Sequence, residues 1–139
     1  IARPFIKVLF LLPNADDIHG AEALEEAMKP PNSILAATHP APEKFGVLKV
    51  KDDGMMDTVV EKPETPIGNL VSTGAMVLDD RIFDYEAVKH ANGEYYMTHP
   101  LGNFAKDVPI KVVEQSLWIP VGFPEDIEKA EEQLKKSGR

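Results

Sequence analysis

The stretch TVVEKPETPIGNLVSTGAMVL, residues 58–78, contains two apolar runs joined by a charged loop. The first run predicts a strand that ends at Pro63, because proline has no N–H to donate to a sheet. Pro66 and Asn69 favour a turn, and the second run predicts another strand. Gly74 within that second strand indicates that another group approaches the backbone closely. The remaining segments are expected to supply the sheet on which these two strands lie.

Glu61 and Lys62 are adjacent at the end of the first predicted strand. In an extended chain, neighbouring side chains point to opposite faces. A glutamate accepts hydrogen bonds from hydroxyl groups, and a lysine neutralises a phosphate. The pair therefore suits a phosphorylated polyhydroxy ligand, although for these two residues alone an ordinary surface ion pair is the commoner case.

Strand-like and helix-like segments alternate along the rest of the chain. We predict strands at residues 5–12, 33–38, 45–50, 55–60, 110–113 and 117–121, and helices at residues 20–29, 81–91, 98–106 and from 124 onward. The first strand is almost entirely apolar, which is typical of a strand buried on both faces of a parallel sheet. Asp53 and Gly54 predict the turn of a hairpin. The alternation predicts one three-layer α/β/α domain with a mixed sheet over residues 1–139.

The last helix has the clearest end signals. Pro124 suits its first position, acidic residues follow in the first turn, lysines occupy the last turn, and Gly138 comes after it. Ile127, Ala130 and Leu134 are spaced as a buried stripe along one face.

Composition excludes several classes of protein. The net charge of −8 argues against nucleic-acid binding, and the absence of cysteine excludes disulfides and fits a cytoplasmic protein. No apolar run approaches the roughly 20 residues of a membrane span, so we expect no membrane association. Acidic residues follow the first apolar run, so we expect no signal peptide. Because the sequence starts at Ile1 and not at methionine, we expect a preceding segment.

Five motifs share their order with a known family. They are NADDI at residues 14–18, FGV at 45–47, EKP at 61–63, PIGNLVSTG at 66–74 and WIPVGFPED at 118–126. GEYYMT at residues 93–98 adds a sixth similar segment. None of these is specific alone, but their order and spacing resemble the sugar-phosphate nucleotidyltransferases, which include glucose-1-phosphate thymidylyltransferase and UTP–glucose-1-phosphate uridylyltransferase.

The resemblance implies a Rossmann-like three-layer α/β/α fold with a mixed sheet. It also implies transfer of a nucleotidyl group from UTP or dTTP to a sugar 1-phosphate such as glucose 1-phosphate, which yields a nucleotide sugar and pyrophosphate. It assigns sugar-phosphate recognition to Gly46, Glu61, Lys62, Ser72, Thr73 and Gly74, with Ser72 to Gly74 acting through the backbone. It places Mg²⁺ on Asp16.

The chain also departs from the family pattern. The family's G-G-x-G-T-R loop, which surrounds the triphosphate and carries catalytic arginine and lysine, is absent from this sequence, so we assign no catalytic residue. The resemblance therefore covers the carboxyl-terminal part of the family domain. The second metal-binding aspartate of the family is Pro120 here, and Asp17 is a possible substitute.

Three hypotheses stay open at this point. The chain is part of a sugar nucleotidyltransferase, or a catalytically silent binding or regulatory subunit that pairs with a full-length enzyme. A glycosyltransferase that uses Asp16, Asp17 and a metal is a third, which the EKP and WIPVGFPED motifs argue against. A domain without its first strand leaves apolar sheet uncovered, so we expect a homo-oligomer or a partner that covers it.

Overall fold

The computed structural model describes residues 3–6, 8–65 and 67–136. Three residues named above, Ile1, Pro66 and Gly138, lie outside the described residues. The strands are β1 Leu9–Pro13, β2 Asp17–His19, β3 Ser33–Thr38, β4 Gly46–Val50, β5 Met56–Glu61, β6 Leu70–Asp79, β7 Lys111–Glu114 and β8 Trp118–Pro120. The α-helices are α1 Ala21–Ala27, α2 Thr98–Asp107 and α3 Glu125–Lys136. Single 3₁₀ turns lie at Arg3–Phe5, Pro42–Lys44 and Asp80–Asp84.

The main sheet is mixed, as predicted. Five strands follow the order β5-β4-β6-β3-β7, and β1 also pairs with β6. Strands β3 and β7 are parallel, while the pairs β1–β6, β3–β6, β4–β5 and β4–β6 are antiparallel. The long strand β6 therefore lies at the centre, with β3 along one edge and β1 and β4 sharing the other. A second, two-stranded sheet pairs β2 with β8.

Helices cover both faces of this sheet. On one face, α1 packs against a small cluster around Ala27, Leu35 and Val77. On the other face, α2 contributes Leu101 and Phe104 to a second, larger cluster of buried apolar residues. Because side chains alternate along β3, its Ile34 and Ala36 enter the larger cluster and its Leu35 the smaller one. These three layers are the predicted architecture.

The first strand is less buried than predicted. It begins at Leu9, not at residue 5, and Leu9, Leu11 and Leu12 are 46%, 41% and 37% exposed. The apolar run had indicated burial on both faces. That prediction was wrong because β6 is its only strand partner among the described residues, and much of its apolar surface has no neighbour there.

Two helix predictions also need correction. Residues 81–91 do not form an α-helix: a 3₁₀ turn at Asp80–Asp84, capped by the Asp79 side chain, is followed by an irregular segment. Ile82 of that turn is buried, but Val88 is exposed, so the predicted apolar face packs only at its start. In α3, Ala130 is buried as predicted, whereas Ile127 is exposed.

Among the helices of the described residues, none has the length and apolar character required to cross a bilayer.

Candidate functional site

A cavity of about 260 Å³ lies where the start of β4, the end of β5 and the middle of β6 meet the start of α2. We call it the strand-end pocket. Five of the six residues predicted to recognise a sugar phosphate line it, namely Gly46, Glu61, Lys62, Ser72 and Gly74. These five residues, which span 28 positions of the sequence from Gly46 to Gly74, thus lie around one cavity, and the sixth, Thr73, is not among the lining residues.

Glu61 is the last residue of β5 and pairs with Gly46 at the start of β4. Thr98 donates a hydrogen bond from its hydroxyl to Glu61 Oε2 at 2.9 Å, which holds the carboxylate in place. A Cβ on Gly46 would lie 2.7 Å from Thr98 Cγ2 and 3.5 Å from Glu61 Oε2. The missing side chain of Gly46 therefore leaves space for the hydrogen bond between Thr98 and Glu61.

Lys62 adopts a backbone φ of +39°, which is uncommon for a residue other than glycine. Its N–H donates to the Phe45 carbonyl at 2.9 Å, which holds this conformation. Its ammonium lies 3.9 Å from Glu61 Oε1 and 4.8 Å above the centre of the Tyr96 ring. Backbone strain of this kind persists where surrounding structure enforces it, and it is concentrated at functional sites.

Tyr96 belongs to a segment that forms the outer wall of the pocket. Its hydroxyl donates to Glu94 and accepts from Asn92 Nδ2 at 2.7 Å. The hydrogen bond from Tyr96 lowers the pKa of Glu94, which favours the ionised carboxylate. These contacts fix the ring beside the Lys62 ammonium, where a cation is attracted to the aromatic face.

Gly74 lies against the acidic turn, residues 14–17. Its φ is +79°, and a Cβ there would lie 2.6 Å from Asn14 Cγ and 2.8 Å from Asp17 Oδ2. The Asn14 backbone N–H donates to the Gly74 carbonyl at 2.8 Å. The close approach predicted for this glycine is therefore the approach of the acidic turn to β6.

Thr73 faces away from the strand-end pocket. Its hydroxyl donates to the Leu35 carbonyl at 3.0 Å and accepts from Gln115 Nε2 at 2.6 Å. Since its neighbours Ser72 and Gly74 line the pocket, Thr73 has only its backbone to offer a ligand. The backbone role assigned to these three residues stays a prediction.

The acidic turn does not build a magnesium site from its own residues. Asp16 is exposed, while both carboxylate oxygens of Asp17 already accept hydrogen bonds, from Trp118 Nε1 at 2.9 Å and from Asn14 Nδ2 at 3.0 Å. Pro120 stands opposite Asp17 in the two-stranded sheet. Among the described residues, no group of three or more His, Asp or Glu side chains is placed to hold a metal ion. The described side chains therefore offer Mg²⁺ too few ligands by themselves, and the assignment of Mg²⁺ to Asp16 stays a prediction.

The sequence did not assign ligand contacts to Asn14, Lys44, Tyr96 and Thr98, which also line the pocket. The GEYYMT segment could have indicated Tyr96 and Thr98, since it resembles a family motif just before α2. Lys44 adds a second cation near Lys62, and no motif marked it.

The family model described as nucleotidyl transferase matches residues 9–137. This chain belongs to that family. The chain is 31% identical over 136 residues to the bifunctional protein GlmU of Methanocaldococcus jannaschii, a match that covers 96% of this chain and 33% of GlmU. It is 32% identical over 97 residues to the UTP–glucose-1-phosphate uridylyltransferase AglF of Haloferax volcanii, covering 67% of this chain and 40% of AglF.

A solved UDP-glucose pyrophosphorylase, in complex with UDP-glucose, is similar to this chain with a TM-score of 0.80. The match is 21% identical and covers 98% of this chain and 60% of that one. At this identity the likeness concerns the fold, and it confirms the predicted Rossmann-like class. The chain spans about a third of GlmU and 40% of AglF, so it corresponds to one part of these longer proteins.

Proposed function

We propose that this chain forms the sugar-phosphate-binding part of a sugar-1-phosphate nucleotidyltransferase. The enzyme would transfer a nucleotidyl group from UTP or dTTP to a sugar 1-phosphate such as glucose 1-phosphate, with release of pyrophosphate. One observation carries the proposal: Gly46 and the adjacent pair Glu61 and Lys62, which lies 15 positions further along the sequence, border a single cavity with an acceptor and a cation side by side.

The proposed roles follow from the chemistry of these groups. Glu61 keeps acceptor capacity on Oε1, which suits the hydroxyl groups of a sugar. Lys62 and Lys44 place two ammonium groups at the pocket to offset phosphate charge. Binding of this kind orients the sugar phosphate so that a phosphate oxygen can attack the α-phosphorus of the nucleotide, with pyrophosphate as the leaving group. No step described here depends on a metal ion.

Because the matched relatives are longer than this chain, the residues that bind the nucleoside triphosphate are proposed to lie outside it. The exposed apolar surface of β1 supports contact with such a further segment, with a partner or with a second copy. Localisation in the cytoplasm stays a prediction.

A second candidate function is a catalytically silent binding or regulatory subunit. Pro120 favours it, since this residue stands where the resemblance places the second metal-binding carboxylate. Asp17, opposite Pro120, is held by hydrogen bonds from Trp118 and Asn14, so it is not oriented by a ligand alone.

Calorimetry with glucose 1-phosphate, glucose and inorganic phosphate tests the binding proposal. We expect glucose 1-phosphate to bind more tightly than either of its parts, because the pocket offers both an acceptor and cations. Equal affinities for glucose 1-phosphate and inorganic phosphate would contradict sugar recognition. Pyrophosphate release with UTP or dTTP and glucose 1-phosphate, measured with the segment proposed to bind the nucleoside triphosphate present, then separates the two candidates: turnover supports the enzyme, and binding without turnover supports the silent subunit.

A further inference from the structure

Asn14 is a residue of the strand-end pocket to which the family motifs assign no role. Its backbone N–H bonds to Gly74, and one amide hydrogen is donated to Asp17 Oδ2 at 3.0 Å. Within the described part of the chain, its other amide hydrogen and its Oδ1 make no hydrogen bond. Asn14 thus presents one donor and one acceptor at the pocket.

Asp17 holds Asn14 without lining the pocket itself. Its second oxygen, Oδ1, accepts from the Trp118 indole N–H at 2.9 Å. The Trp118 ring in turn packs edge-on against Phe45, with 5.3 Å between the ring centroids, and Phe45 lines the pocket beside Gly46. Asp17 therefore links the amide of Asn14 to an aromatic side chain 101 residues away in the sequence.

Gly74 completes this arrangement. A side chain at that position would occupy the space of the Asn14 amide and approach Asp17 Oδ2. The positive φ of Gly74 and its missing Cβ therefore permit the Asn14–Asp17 hydrogen bond to lie directly against β6.

We propose that Asn14 binds a hydroxyl group of the sugar and that Asp17, held by Trp118, is its positioning residue. An amide that offers one donor and one acceptor matches a hydroxyl, which both donates and accepts, whereas an ionised phosphate oxygen only accepts. The proposal rests on the proposed function. It gives Asp17 a role other than that of a substitute metal ligand.

The positioning contact is tested without any ligand, because Trp118 is the only tryptophan in the sequence. Its indole N–H gives a single resonance in an NMR spectrum. Loss of a hydrogen bond shields that proton, so Asp17→Ala is expected to move the resonance upfield. Asp16→Asn is the matched control and is expected to leave it in place, since the Asp16 carboxylate does not contact Trp118. An unmoved resonance in Asp17→Ala would overturn the Asp17–Trp118 link.

Calorimetry tests the role of Asn14. We expect Asn14→Ala to weaken glucose 1-phosphate binding about tenfold, the effect of one hydrogen bond, and to leave inorganic phosphate binding unchanged. Asp17→Ala is expected to weaken glucose 1-phosphate to a similar degree. If Asp17 acts through Asn14, the double variant loses no more affinity than Asn14→Ala alone.

Each contrary outcome has a distinct meaning. Equal affinity of Asn14→Ala and the native chain for glucose 1-phosphate would overturn the Asn14 role alone, and additive losses in the double variant would overturn the positioning role of Asp17. A native chain that binds no glucose 1-phosphate would overturn both this proposal and the proposed function. If thermal unfolding shows that Asp17→Ala does not fold, Asp17→Asn replaces it. That variant keeps one acceptor oxygen, so it can accept from Trp118 or from Asn14 but not from both. We therefore expect either an upfield move of the indole resonance or a tenfold loss of glucose 1-phosphate affinity. A variant that shows neither change would overturn the proposal.

Discussion

The two sides of the strand-end pocket use their charged residues differently. On the side proposed to bind the sugar phosphate, Glu61 and Lys62 are held by Thr98 and Phe45, and both residues line the cavity. On the acidic side, both carboxylate oxygens of Asp17 accept hydrogen bonds, one from Trp118 and one from Asn14. The difference shows that two carboxylates of family motifs can have different surroundings: Glu61 leaves Oε1 without a hydrogen bond from the described part of the chain, whereas both oxygens of Asp17 accept one.

The largest expected effect is on the sugar-phosphate side. Glu61→Ala removes the acceptor proposed for sugar hydroxyls and leaves the Thr98 hydroxyl without its partner. We expect a loss of about 2–3 kcal/mol in glucose 1-phosphate binding, roughly 30-fold to 150-fold, measured by calorimetry. Glu64→Ala, a change at an exposed residue just after β5, is the matched control. Similar affinities in the two variants would remove Glu61 from the site.

The next effect concerns the contact between the two sides. Gly74→Ala places a methyl group 2.6 Å from Asn14 Cγ and forces an L-residue to adopt φ of +79°. We expect the free energy of unfolding, measured with urea, to fall by about 2–3 kcal/mol. Gly122→Ala is the control, because its added Cβ meets nothing within 4 Å. A loss no larger than that of the control would show that the acidic turn can move away from β6 at little cost.

Local sequence pattern predicted most of the strands, since alternation and turn residues act within a few positions. Ser33–Thr38 was predicted with its observed ends, and Gly54 does adopt the positive φ of the predicted hairpin turn. The predicted helix at residues 81–91 failed because its apolar spacing carries no information on whether a packing partner exists beyond Ile82. The exposure of β1 escaped prediction for the same reason.

In the candidate site, too, residues carried by local motifs were predicted, and contacts between distant segments were not. Gly46, Glu61 and Lys62 were predicted because family motifs carry them, and the structure places them together. The roles of Asn14 and Asp17 depend on a hydrogen bond to Trp118, 101 residues beyond Asp17. No local pattern contains a contact of that separation.

A carboxylate far from the pocket offers a comparison for Asp17. Asp79, the last residue of β6, accepts hydrogen bonds from Arg81 and Asn32. The hydrogen bonds from Arg81 are the main cause that lowers the pKa of Asp79 from 3.8 to about 2, while burial opposes this change. A lowered pKa stabilises the fold above pH 4, and that stability is lost as the pH falls towards 2. We expect about 1–2 kcal/mol, seen by urea unfolding at several pH values.

Asp79→Asn should remove this part of the acid dependence, whereas Asp57→Asn, a change at an exposed residue, should retain it. An acid dependence that is identical in native protein and Asp79→Asn would show that this carboxylate contributes nothing to the pH response.

The smallest expected effect restores a carboxylate on the acidic side. Pro120→Asp supplies another carboxylate at the acidic turn, opposite Asp17, and Mg²⁺ is usually held by one or two carboxylates together with phosphate oxygens. With UDP-glucose present, we expect Mg²⁺ affinity to rise about fivefold, or ~1 kcal/mol, in a calorimetric titration. Pro120→Asn is the matched neutral control. A gain that Asp16→Asn abolishes would show that the acidic turn lacks only one ligand, whereas no gain would show that its hydrogen bonds to Trp118 and Asn14 have made it a structural element.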